Sequence, residues 1–81
     1  MEKILPPDPD GQNEDRAMWA EDALQAFMIA TGSERDTALA DLLCDLMHWA
    51  DREKGASFES ALNAARFHYE AETQETEQDD E

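Results

Sequence analysis

Carboxylates recur at helical spacing in two parts of the chain. Glu21 and Asp22 precede Gln25 by one helical turn. Asp41 and Asp45 are four residues apart. Side chains three or four residues apart lie on one face of a helix, and carboxylate oxygens are ligands that Mg²⁺ prefers. These positions are the candidate metal ligands, and a solvated acidic face is the alternative interpretation.

Histidine and cysteine are the other groups that could do chemistry. His48 follows Asp45 by three residues, a spacing that suits a metal ligand or a proton relay. We expect His48 to be exposed and inactive, because it lies opposite a face of leucines. Cys44 is the single cysteine, and no Cys/His cluster has the spacing of a zinc site. The residues therefore predict no cofactor and no enzymatic activity.

The net charge of the chain restricts its partners. Twenty-one acidic residues and six basic ones in 81 residues give a formal charge of −15. This charge opposes binding to nucleic-acid phosphates and anionic lipid, and it favours a protein partner with a basic surface.

Acids spaced along rigid helices can also imitate the phosphate row of a duplex. Ten positions fit this interpretation: Glu14, Asp15, Glu21, Asp22, Asp36, Asp41, Asp45, Asp51, Glu53 and Glu59. Such a protein would compete for the basic groove of a nucleic-acid-binding enzyme. The alternative is that the acidic surface only confers solubility.

Apolar residues at steps of three and four predict three helices and no strands. Asn13 is a good N-cap for the first helix, and Gly32 can end it. Ser33 and Asp36 resemble a capping box for the second helix, which Gly55 closes.

The third helix is capped by Ser57, and all three helices carry an apolar face. The face of the second helix is the clearest and comprises Leu39, Leu42, Leu43, Leu46 and Ala50. Short connections fold each helix back on its neighbour. We therefore predict an all-α, three-helix antiparallel bundle with a core of about fifteen side chains.

Two aromatic residues do not fit into this core. Trp19 lies on a second stripe of the first helix, and Phe67 points away from the third helix's apolar face. A domain of this size buries only about 60% of its unfolded surface, so we expect a homodimer. The predicted partner-binding residues are Glu14, Asp15, Glu21, Asp22, Asp41, Asp45, Trp19 and Phe67.

The two ends of the chain differ from its middle. Residues 1–12 contain three prolines and predict an extended segment, residues 13–72 the three-helix domain, and residues 73–81 a disordered acidic tail. The chain has no apolar run long enough to cross a membrane, and its first residues do not resemble a signal peptide. We expect a cytoplasmic protein.

The run from Ala38 to Asp51, ALADLLCDLMHWAD, resembles the third-helix motif of the all-α MazG-like nucleotide pyrophosphohydrolases. In that family, acids on two helices hold magnesium against a nucleoside triphosphate. The resemblance implies that Glu21, Asp22 and Asp41 bind the metal, while Gln25 and Ala38 stand where the family has glutamates.

A second resemblance spans more of the chain. The segments PPDPDG (residues 6–11), residues 41–51 and HYEAET (residues 68–73) are similar to small uncharacterised proteins of bacterial plasmids, phages and genomic islands. This resemblance implies an accessory role in a mobile genetic element, and small acidic proteins of such elements often inhibit host enzymes. We therefore expect an acidic inhibitor or nucleic-acid mimic, with a magnesium-dependent pyrophosphohydrolase, or a non-catalytic relative of one, as the alternative.

Overall fold

The computed structural model describes residues 4–75 and contains three α-helices. The first, α1, spans Asn13–Thr31; α2 spans Ala38–Arg52; and α3 spans Phe58–Glu72. No strand occurs within residues 4–75. The prediction of an all-α, three-helix fold is confirmed. The predicted tail begins at residue 73, and its residues 76–81 lie outside the described part of the chain.

The ends of α1 follow the sequence signals closely. Gln12, rather than the predicted Asn13, occupies the N-cap position, and Asn13 is the first helical residue. At the other end Gly32 adopts a left-handed conformation with φ of 78°, and its N–H donates to the carbonyl of Met28 at 2.8 Å. The predicted stop at Gly32 is confirmed, because few other residues adopt this φ without strain.

The start of α2 differs from the prediction. The expected capping box of Ser33 and Asp36 does not begin the helix; a turn follows, and α2 starts at Ala38 after Thr37. The Ser33 hydroxyl instead donates to the Asp41 carboxylate at 2.7 Å. This hydrogen bond places Ser33 against the first turn of α2 from outside the helix.

The segment between α2 and α3 contains one wrong prediction and one confirmed one. α2 ends at Arg52, where the N–H of Glu53 donates to Trp49, so Gly55 lies in the following turn with φ of 82° and does not cap the helix. Ser57 is the N-cap of α3 as predicted, since its hydroxyl accepts the N–H of Ser60 at 3.2 Å.

The helices contact one another mainly in chain order. α1 packs against α2 and α2 against α3, whereas α1 and α3 meet at fewer points. One of these points joins the start of α1 to the end of α3, because the Asn13 side-chain amide donates to the Glu72 carbonyl at 2.9 Å. The start of α1 therefore lies beside the end of α3.

The core within a single chain is very small. Ala38 and Ala50 are the only buried residues among positions 4–75. Larger apolar residues are only half-buried: Leu24, Phe27, Met28, Leu42, Phe58 and Leu62. The predicted core of about fifteen side chains is thus wrong for the single chain. Much of each helix's apolar face therefore remains exposed.

Candidate interaction surface

Carboxylates are displayed along α1 in two pairs. Glu14 and Asp15 lie in its first turn, and Glu21 and Asp22 follow seven residues later, which is close to two helical turns. The two pairs therefore lie on the same side of the helix, about two turns apart. Glu14, Asp15 and Asp22 are exposed, and Glu21 is half-buried.

Glu21 is held by a bidentate ion pair. Arg35, in the connection between α1 and α2, donates to its two carboxylate oxygens at 2.7 and 2.9 Å, and Gln25 donates to it at 2.8 Å. The Arg35 hydrogen bond and then that of Gln25 lower the pKa of Glu21 to about 2, and the same pairing raises the pKa of Arg35. Glu21 therefore fixes the α1–α2 connection and remains charged.

A second ion-pair cluster was not found by sequence reasoning. Arg16 on α1 forms two hydrogen bonds with Asp10, at 2.8 and 3.0 Å, and its Nε lies 3.5 Å from the Glu72 carboxylate. The Arg16 hydrogen bond, followed by the backbone N–H of Gln12, lowers the pKa of Asp10 to about 2. This cluster ties the segment before α1 to the end of α3, over sequence separations that no local pattern reveals.

Two of the three acids of α2 lie on its polar stripe. Asp41 and Asp45 are both exposed, and Asp41 accepts the hydroxyl hydrogen bond of Ser33. His48 and Cys44 are exposed on the same side of the helix. The structure thus places this set of polar side chains in solvent, as the helical spacing predicts for Asp41, Asp45 and His48.

The three candidate magnesium ligands are not brought together. Within residues 4–75 no group of three or more Asp, Glu, His or Cys side chains is arranged to hold a metal ion. Glu21 is engaged by Arg35, Asp22 faces solvent beside it, and Asp41 is bonded to Ser33. The ligand set that the pyrophosphohydrolase resemblance implies is therefore not assembled in this conformation.

Both predicted aromatic contact residues are exposed. Trp19 retains 65% of its accessible surface and Phe67 retains 70%. They lie on α1 and α3, and the Phe67 ring makes an edge contact with His68, with 5.9 Å between centroids. Exposed aromatic side chains are common anchors of protein contacts.

An uncovered apolar stripe lies on α2, where the sequence indicates core. We name Leu39, Leu43 and Leu46 the α2 seam, and all three are exposed, whereas Ala50 at the end of the same face is buried. Met47 and Trp49 beside the seam are exposed as well. At its C-terminal end the seam opens into a groove of about 480 Å³ that is largely apolar and is bordered by the start of α3. The strength of this amphipathic pattern was visible in the sequence; that the chain leaves it uncovered was not.

Comparisons with known proteins identified no similar protein. No protein-family model matches the chain, and no curated protein or solved structure is significantly similar to it. Among the described residues, no helix is both long enough and apolar enough to cross a membrane.

Proposed function

We propose that this chain is a small acidic protein-binding module of a mobile genetic element, acting in the cytoplasm on a host protein with a basic surface. In this proposal it inhibits that protein by occupying a groove that otherwise holds nucleic acid. The observation that carries the proposal is the row of carboxylates on α1, at positions 14/15 and 21/22, together with the exposed acids of α2.

The placement of the acids on α1 supports mimicry. The pairs at positions 14/15 and 21/22 lie about 10 Å apart along one side of the helix, which is about the length that three phosphates of one strand span. Arg35 pairs with Glu21, so Glu14, Asp15 and Asp22 are the exposed charges of this row. A basic groove that binds one strand would therefore meet a row of negative charge along α1, at a lower density than the strand presents.

The negative charge is only partly neutralised within the chain. Residues 4–75 contain sixteen acids and five bases, a net charge of −11. Three of these bases, Arg16, Arg35 and Arg52, already form ion pairs with acids of the same chain. The exposed acids therefore define the electrostatic field that an approaching protein meets.

The proposal predicts binding that duplex DNA and salt both oppose. We would immobilise the chain, capture proteins from a host lysate at 50 mM salt, and elute with duplex DNA. We expect release of a basic nucleic-acid-binding protein, and at least a tenfold loss of capture near 300 mM salt, because screening weakens attraction between exposed charges.

Charge reversal on α1 provides the matched comparison. The double substitution Asp15→Lys with Asp22→Lys should abolish capture of that protein, whereas Asp15→Asn with Asp22→Asn should weaken it less. Capture that survives both DNA and charge reversal would contradict the proposal. Magnesium-dependent release of pyrophosphate from a nucleoside triphosphate, lost in Asp41→Ala, would support the pyrophosphohydrolase alternative instead.

A further inference from the structure

The side of α1 that its own chain leaves uncovered carries apolar residues and acids together. The half-buried residues Leu24, Phe27 and Met28 mark the side that packs on the rest of the chain. At about 100° of rotation per residue, another set falls on the opposite side, where polar residues are usual. We name this exposed set the outer α1 face: Asp15, Met18, Trp19, Asp22, Ala26 and Ile29.

Trp19 lies between the two carboxylates of this face. Asp15 precedes Trp19 by four residues and Asp22 follows it by three, so both are its neighbours on the helix surface. Within the described part of the chain, the exposed indole ring stacks on no other aromatic ring and on no cation. The outer α1 face therefore presents an accessible aromatic ring that is flanked by two negative charges.

The chain does not neutralise these two carboxylates itself. Among residues 4–75, no ion pair includes Asp15 or Asp22. Arg16, the single base of α1, donates instead to Asp10 and lies beside Glu72. The positive charge that would complement the outer α1 face must therefore come from a partner.

Charge also limits which partner can cover this face. A second copy centred on the face would bring the two Asp22 carboxylates together, because Asp22 lies midway between Asp15 and Ile29. A wholly apolar partner would bury Asp15 and Asp22 without a counter-charge, which is costly. The face is complementary to a protein segment that carries positive charge within apolar surroundings.

We propose that the outer α1 face binds an arginine side chain of the protein partner, with the guanidinium stacked on Trp19 and paired with Asp15 and Asp22. The inference rests on the proposed function, because it specifies the chemistry of the basic surface that the chain binds. A planar guanidinium stacks on an aromatic ring and donates to carboxylates at the same time, whereas a lysine ammonium is a compact, strongly hydrated charge. Met18 and Ile29 contact the apolar surroundings of that arginine, which imitation of phosphates alone does not explain.

The test compares two peptides of equal length and charge, one alternating arginine with alanine and the other lysine with alanine. Each is titrated into the full chain at low salt. We expect the arginine peptide to bind about threefold more tightly, the size of an exposed cation–π contact. It should also shift the NMR signal of the Trp19 indole N–H more than the lysine peptide does. That signal is assigned by its absence in Trp19→Leu.

Two variants separate the indole ring from apolar area in general. Trp19→Leu keeps an apolar side chain and should remove most of the preference for arginine. Phe67→Leu is the matched control, because Phe67 is an aromatic residue of similar exposure on α3, and this variant should keep the preference.

The outcomes distinguish this inference from the proposed function. Equal affinity of the wild-type chain for the two peptides would overturn the arginine contact, and so would a preference that persists unchanged in Trp19→Leu. The expected preference, together with a captured host protein that duplex DNA does not release, would support the arginine contact and overturn the proposed function.

Discussion

At the scale of single residues, the ion pair of Glu21 and Arg35 is a stabilising contact within an otherwise acidic chain. It joins α1 to the connection before α2 through two hydrogen bonds, and Gln25 adds a third. The folded pKa of Glu21, about 2, lies below its ordinary value of 4.5. The stability from this pair is therefore present above about pH 4.5 and is lost as pH falls toward 2.

Replacing Arg35 should raise the pKa of Glu21, because Arg35 is the main cause of its lowering. In Arg35→Gln, we expect the pKa of Glu21 to rise toward 4.5, as measured by NMR titration of the side-chain carboxyl carbon. Arg52→Gln is the control, because Arg52 lies near Glu53 and does not contact Glu21. A wild-type Glu21 that titrates at its ordinary value would show that the ion pair does not form in solution.

Sequence reasoning found the acidic side chains but not their partners. It identified Glu21 as a candidate ligand and contact residue. In the structure Glu21 accepts hydrogen bonds from Arg35, which lies fourteen positions further along the chain. Local spacing reports which side chains share a helix face, whereas this pair depends on the path of the connection after Gly32. The contacts of Arg16 with Asp10 and Glu72 were missed for the same reason.

At the scale of helices, the Ser57 cap should contribute measurably to α3. Ser57→Ala removes the acceptor of the Ser60 N–H and should lower the free energy of unfolding by about 1 kcal/mol, measured by urea denaturation. Ser60→Ala is the matched control, since it keeps that N–H and improves helix propensity. Equal loss of stability in both variants would mean that the cap hydrogen bond contributes nothing.

Helix ends were predictable where a local conformation determines them. Gly32 ends α1 through its left-handed φ, and Ser57 begins α3 through its side-chain oxygen. The predicted start of α2 was wrong: Ser33 lies outside the helix, and its hydroxyl donates to the Asp41 carboxylate in the first turn of α2. The capping-box spacing of Ser33 and Asp36 is present in the sequence, but the helix begins five residues after Ser33.

At the scale of the whole molecule, the amphipathic pattern predicted three helices correctly and their burial incorrectly. A leucine face indicates that something covers it, and sequence alone does not distinguish a neighbouring helix from a second chain. Here the Asn13 side chain contacts the end of α3, and Leu39, Leu43 and Leu46 of α2 remain exposed. The homodimer expected from the sequence stays a prediction.

The most direct test of this account is the melting temperature of the wild-type chain as a function of its concentration, followed by circular dichroism. A dimer of two 81-residue chains should unfold with an enthalpy of about 110 kcal/mol. If folding requires association, each tenfold rise in concentration should raise the melting temperature by about 4 °C. A cooperative transition whose midpoint does not change with concentration would contradict the account, because the single chain would then be stable without its partner.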